Sequence, residues 1–304
     1  MYVNVAKLSR ERTLSIPLII TLMPSVIYFT LILAHGDTIA ITFALLALYF
    51  FENPWLAGFF CGCGTLSKFY PVTLLPPLLI YYKGLKRKVV LMYSFVLTML
   101  LISLPYLLAD PLMYISVATS HLLRGPSESI FALIDGYFGH TGFLHPTFDG
   151  TLYSWQFATL YAPTYYDHFR YEWRIPILSY ISLGLQFSSL VGVSFLARKT
   201  KDKKESLTLI ALAIFAYFAF STFYNPLFHI PQICLLAIAT INWSKSKQMV
   251  TLIAFEAVNT FHSLVWYCPI FLYIGTMLPL SLAIMMRFIL YIFVLTSFIR
   301  RDKE

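Results

Sequence analysis

The residues able to do chemistry in this chain are few, and most of them interrupt long apolar runs. His35-Gly36-Asp37-Thr38 separates two such runs. A carboxylate in that setting can orient a hydroxyl, hold a divalent ion or act as a general base. Alternatively, Asp37 caps the helix that follows by accepting from its first unpaired amides. Lys68, in Lys68-Phe69-Tyr70-Pro71-Val72-Thr73, lies in an otherwise apolar stretch. A cation there is costly unless it pairs or reaches water. It can bind a phosphate, with Tyr70 at the interface and Pro71 opening a second half-helix, or it can snorkel to the headgroups. Phe223-Tyr224-Asn225-Pro226, with His229 and Pro231 close behind, sets Asn225 and His229 at a helix-breaking turn, as polar contacts or as plain turn residues. Glu256, His262 and Arg287 are ionisable groups inside apolar segments. Glu256 and Arg287 can neutralise each other, or the three can line a proton or ion path. Arg124, Arg170 and Arg174 can grip a phosphate or stand as solvated loop charge.

The elements that must position these residues follow from composition. Of 304 residues 59% are apolar, 17% aromatic and only 12% charged. A soluble domain has about twice that share of charge, so a soluble enzyme, a nucleic-acid binder and a secreted disulfide scaffold are excluded. Uncharged stretches run from Leu14 to Ala34, Val89 to Ala109, Ile175 to Ala197 and Ser206 to His229. Each is long enough to cross a hydrocarbon layer of about 30 Å. The expected class is an all-α polytopic membrane protein forming one transmembrane domain over residues 1–304. The net charge of +8 is concentrated in five clusters beside apolar runs: 7–12, 83–88, 198–204, 245–247 and 300–303. Such clusters mark cytoplasmic segments and call for no nucleic-acid partner. Cys61, Cys63, Cys234 and Cys268 form no disulfide framework. The first apolar run is full length with no cleavage site after it, unlike a signal peptide.

Placing the basic clusters inside predicts about eight spans: 14–34, 38–51, 89–108, 176–197, 206–224, 229–243, 248–267 and 280–299. Both termini are then cytoplasmic. The stretch 55–82 must leave and return between two inside segments. Its two halves, of about 13 residues, reach only about 20 Å each. The expectation is a hairpin of short helices whose turn carries Lys68 and Pro71 toward the outer face, where broken backbone must be buried in protein or line a wet cavity. Asp110 to Arg174 is the one large extracytoplasmic segment, and Met113 to Leu123 within it could lie flat at the interface. No Gly-rich phosphate loop, His-Glu-x-x-His or Gly-x-Ser-x-Gly occurs.

The run from His35-Gly36-Asp37, through Trp55-Leu56-Ala57-Gly58, Gly62 and Gly64-Thr65-Leu66-Ser67-Lys68-Phe69-Tyr70-Pro71, to Pro76-Pro77 resembles the central part of GT-C glycosyltransferases. Lys68-x-Tyr70-Pro71-Val72-Thr73 is especially similar to the mannosyltransferase of GPI-anchor assembly, and Asn225-Pro226 to Pro231 to a late motif of bacterial and archaeal relatives. The resemblance covers about 35–80 well and 220–240 weakly.

It implies a multi-pass enzyme, in the plasma membrane, with its active face outside. Such an enzyme transfers a hexose such as mannose from a polyprenyl-phosphate donor to a lipid or glycan acceptor. That resemblance places Lys68 near the lipid carrier and Asp37 near the outer mouth; Lys68, Tyr70, His35, Asn225 and His229 are the candidate substrate contacts, and Asp37, to which the family's catalytic role does not transfer, is the candidate carboxylate base on its own chemistry. No cofactor is implied; a divalent metal could take part but has no dedicated ligand cluster. The chain departs from the family at its start, which corresponds to the third or fourth span, so the long outer loop with the family's catalytic Asp has no counterpart. An upstream start, a partner subunit supplying that part, or an inactive relative would each account for this. A lipid-carrier flippase or transporter, and a non-catalytic membrane subunit, remain as alternatives.

Overall fold

The computed structural model describes residues 20–27, 37–112, 114, 129–135, 175, 177–200, 202–221, 229–267 and 277–301. His35 and Asn225, the three loop arginines, Cys268 and most of the segment 110–174 lie outside them. Among the described residues every regular element is helical. After a single turn at Pro24–Ile27 come α1 (Asp37–Tyr49), α2 (Pro54–Ser67), a 3-10 turn (Tyr70–Leu74) and α3 (Leu75–Tyr81). Then follow α4 (Leu85–Ala109), α5 (Ile130–Asp135), α6 (Ile177–Lys199), α7 (Lys203–Ala219), α8 (His229–Ala239), α9 (Lys245–Tyr267) and α10 (Met277–Arg301).

The local chemistry explains where the site-bearing helices begin and end. Asn53 caps α2, its side-chain oxygen accepting from the amides of Trp55 at 3.1 Å and Leu56 at 3.3 Å. Pro54 opens that helix, where a missing N–H costs nothing. Helix α2 stops at Lys68, whose backbone is extended. Pro71 then cannot continue a ladder, and the chain makes a 3-10 turn before α3. Asp202 caps α7 in the same way as Asn53 caps α2. Gly84 takes φ +103 immediately before α4, a backbone conformation that a side chain would strain.

Contacts fix the direction of each helix. At one end of the bundle the Lys68 ammonium meets Asp37, joining the end of α2 to the start of α1. At the other end Tyr82 donates to the Phe51 carbonyl oxygen at 2.5 Å, so α3 returns to the level where α2 began. The expected hairpin of short helices is therefore present, with its break at Lys68 and Phe69. Helix α4 runs parallel to α2, pressed against Gly58 and Gly62. A Cβ on Gly58 would stand 2.4 Å from the Leu91 carbonyl oxygen, and one on Gly62 would stand 2.9 Å from Thr98 Cβ. Lys203, opening α7, bridges to Glu52 at 2.7 Å. Trp243, Lys247 and Phe298 cluster at the turn between α8 and α9. The basic segments at 83–88, 198–204, 245–247 and 300–301 thus share the Phe51 end of the bundle.

Among the described residues, three helices are long and apolar enough to cross a membrane: Leu85–Ala109, Ile177–Lys199 and Pro279–Phe298 within α10. They are built inside out. Leu101, Leu108, Tyr180, Leu183, Phe187 and Ile289 are exposed, while Ser94, Thr98, Ser182, Gln186 and Ser194 face the protein. Their hydroxyls bond to backbone carbonyls, as in Ser94 to Trp55 at 2.7 Å and Ser182 to Phe220 at 2.6 Å, the usual accommodation of polar groups between apolar helices. Of the eight expected spans, three correspond to these helices, and most of 14–34 lies outside the described residues. Helices α1, α7 and α8 have 13, 17 and 11 residues, and at about 1.5 Å per residue they fall short of a 30 Å layer. Helix α8 is buried along its whole length. One apolar core runs from Ile20 to Val294 and holds α1, α7 and α8 at its centre.

Candidate functional site

Asp37 opens α1 and is completely buried, and its carboxylate receives Lys68. The ammonium stands 2.8 Å from each carboxylate oxygen. A carboxylate in the first turn also lies at the positive end of the helix dipole. Lys68 leaves 30% of its side chain exposed, so the pair has one covered partner and one that reaches the surface. Lys68 is thus neutralised by Asp37 on one side while part of its side chain stays exposed on the other. Tyr70 is buried within the protein. Its hydroxyl makes a long 3.4 Å contact to the Asp37 backbone carbonyl, and its ring packs edge-on against Phe218 of α7 at 5.6 Å between centroids. Pro71 accepts the Cys61 thiol at 3.2 Å, tying the turn back to α2. Gly64 sits against Pro71 and Phe43, where a Cβ would come within 3.0 Å of the proline ring. The turn is therefore held from below by a thiol and a glycine, and from the side by a phenol.

A second polar group crosses the core between α8, α9 and α10. His229, fully buried at the start of α8, meets Glu256 through Nε2 at 2.6 Å, and its ring stacks on Phe255 at 5.4 Å. Thr260, one turn beyond, donates to the other Glu256 oxygen at 3.1 Å. The sequence expectation set Glu256 against Arg287. In the structure His229 and Thr260 hold Glu256, while Arg287 donates to His262 Nδ1. Gln232 accepts from the Tyr291 hydroxyl. The reason for these pairings is helical spacing. His229 and Gln232 share one face of α8, as Glu256, Asn259 and His262 do on α9, and Arg287 and Tyr291 on α10.

Of the residues expected to contact substrate, the structure brings Asp37, Lys68 and Tyr70 into one cluster and places His229 with Glu256 in the core. His35 and Asn225 lie outside the described residues. Gln232, Asn259, Thr260 and Tyr291 were not anticipated; the signal for them was a polar residue three or four positions from an ionisable one in an apolar helix. Among the described residues no three His, Cys, Asp or Glu side chains gather as a metal ion would require. No family model, curated protein or solved structure matches the chain.

Proposed function

We propose that this chain is a membrane glycosyltransferase of the GT-C kind, or the carboxy-terminal part of one. It moves a hexose, mannose being the first choice, from a polyprenyl-phosphate donor to a lipid or glycan acceptor on the extracytoplasmic side. The observation that carries the proposal is the Asp37–Lys68 pair, in which a buried carboxylate is held by a cation that is itself partly exposed. These two residues fall within the stretch that resembles the family. The three membrane-length helices, and the grouping of basic segments at the opposite end of the bundle from Lys68, support an outward-facing site.

In this proposal the acceptor hydroxyl oxygen bonds to the anomeric carbon as the bond from that carbon to the phosphate oxygen breaks. The electron pair leaves on the phosphate, and the hydroxyl proton passes to Asp37. Charge developing on the phosphate draws on Lys68 from its exposed side. As the ammonium turns toward that charge, the carboxylate gains basicity. Donor and acceptor arrive by diffusion in the membrane.

The test is transfer of radiolabel from a polyprenyl-phosphate hexose to an acceptor by purified protein in lipid. Activity in the full chain and its loss in Lys68→Ala is the expected outcome. Equal transfer by both proteins overturns the role of Lys68. A flippase or transporter is the second reading, favoured by the buried His229–Glu256 and His262–Arg287 contacts. It predicts movement of a lipid-linked substrate with no glycosyl product. A non-catalytic subunit predicts activity only when a partner is present.

A further inference from the structure

The end of the bundle opposite Lys68 gathers exposed cations from two separated parts of the chain. Lys83, Lys86 and Arg87 are exposed where α3 gives way to α4, with Lys88 half-buried behind them. Arg198, Lys199, Lys203 and Lys204 are exposed where α6 gives way to α7. Contacts bring the two groups together. The Ser206 hydroxyl donates to the Ala197 carbonyl oxygen at 3.4 Å, which lays the start of α7 on the end of α6. Lys203 bridges to Glu52 at 2.7 Å, and Phe51 beside it packs on Tyr81 at 5.4 Å between ring centroids. The charges of Glu52, Lys203 and Arg87 all reach the Tyr81 phenol. The two basic groups therefore form one surface.

This surface is short of negative charge. Among the described residues its acids are Glu52, Asp202 and Glu205, and each is already used. Glu52 holds Lys203, Asp202 caps the amides of Lys204 and Glu205, and Glu205 accepts from the Thr200 hydroxyl. The first turn of α4 carries Lys86, Arg87 and Lys88 and no acid, so the positive end of that helix adds to their charge. Like charges held together at a surface attract an anion more strongly than any of them alone. Apolar surface begins within one turn of these cations. Leu85, Val89 and Tyr93, four apart on α4, point outward as one stripe, and Phe195 and Leu196 do so on α6. The complementary ligand is an anion that carries apolar chains, a description that fits a phospholipid and neither a soluble acidic protein nor a nucleic acid.

We propose that this surface binds the headgroups of anionic phospholipids in the leaflet it faces. Lys86, Arg87, Arg198 and Lys199 meet the phosphate, and the acyl chains lie along the outward stripes of α4 and α6. Arg87 takes two phosphate oxygens through its planar fork, and the lysines act as point charges beside it. The site lies at the opposite end of the bundle from Asp37 and Lys68, and it does not rest on the transferase proposal. A seated headgroup offsets the mutual repulsion of the cations and links the α3–α4 junction to the α6–α7 junction, as the Glu52–Lys203 bridge does from the α1–α2 turn.

The experiment is native mass spectrometry of the full chain released from nanodiscs of equal phosphatidylglycerol and phosphatidylcholine with matched chains, counting the lipids retained. The unaltered chain should retain the anionic lipid over the neutral one by about tenfold. Lys86→Gln with Arg87→Gln should lower that preference about fivefold, the scale of one surface cation at a charged membrane. Arg198→Gln with Lys199→Gln should do the same from the other half of the surface. Lys245→Gln with Lys247→Gln removes equal charge beside Trp243, at the same end of the bundle but outside this surface, and should leave most of the preference in place. All six side chains are exposed, so the variants keep the fold. Equal losses in the three double variants would reduce the effect to bulk charge and overturn the site, as would equal retention of the two lipids by the unaltered chain. Salt at about 0.5 M should weaken the preference, and a preference that salt does not move overturns its charge basis. Full displacement of the lipid by glycerophosphoglycerol, the same headgroup without chains, overturns the lipid assignment in favour of a small anion. Full displacement by a polyglutamate peptide overturns it in favour of an acidic protein.

Discussion

Tyr82 and Phe51 are joined by a 2.5 Å hydrogen bond across 31 residues, the same sequence separation that joins Lys68 to Asp37. The two contacts mark opposite ends of one folded layer. The first shows that the short helices return to their starting level; the second shows what sits at the far end. Burial pushes the Tyr82 phenol above its ordinary range, so it remains a donor to the Phe51 carbonyl through neutral pH. The layer keeps its closing contact there while the Lys68 end carries the ion pair.

Labelling should report these two ends as opposite sides of the membrane. Phe69 and Leu85 are both well exposed. A single cysteine at Phe69 should react with an impermeant maleimide from outside, and one at Leu85 only after the cytoplasmic side is opened. Reaction of both from the same side would contradict the hairpin and the proposed orientation together.

The Asp37–Lys68 pair should behave as a coupled unit in stability. Lys68→Met takes this cation from a buried carboxylate, a loss of about 3 kcal/mol, whereas Asp37→Asn leaves an ammonium that already reaches the surface and should cost less. The double variant should recover part of that loss, with a coupling energy of about 1–3 kcal/mol. Thermal unfolding of the four proteins in one detergent measures it, and simple additivity would show that the pair does not form.

The His229–Glu256 contact predicts an asymmetry between its partners. His229→Ala removes one of the partners of a buried carboxylate and should destabilise by about 1–3 kcal/mol. Glu256→Gln keeps a polar group facing His229 and Thr260, and should cost less. Unfolding midpoints that rank the two variants the other way would move Glu256 to another partner.

Glycine positions divide sharply by what surrounds them. Gly58→Ala drives a methyl group into the Leu91 carbonyl oxygen, and overpacking of this kind costs about 1–3 kcal/mol. Gly184 and Gly192 of α6 have nothing within 4 Å of an added Cβ. Alanine there should be neutral or gain about 0.5–1 kcal/mol by relieving helical glycine of its entropy cost. Equal effects at Gly58 and Gly184 would mean that α2 and α4 are not in close contact.

Composition and charge spacing by themselves determined that this is a helical membrane protein, and the position of Lys68 between two half-length apolar runs determined that the chain folds back there. Those inferences rest on local physics. A charge in an apolar run must be neutralised or solvated, and 13 helical residues cannot cross a bilayer. The partners of the charges were decided only by the tertiary structure. Asp37 and Lys68 appeared as separate candidates because no short-range pattern links residues 31 apart. Glu256 was set against Arg287 because opposite charges are the default pair, whereas helix packing delivers His229 to Glu256 and His262 to Arg287.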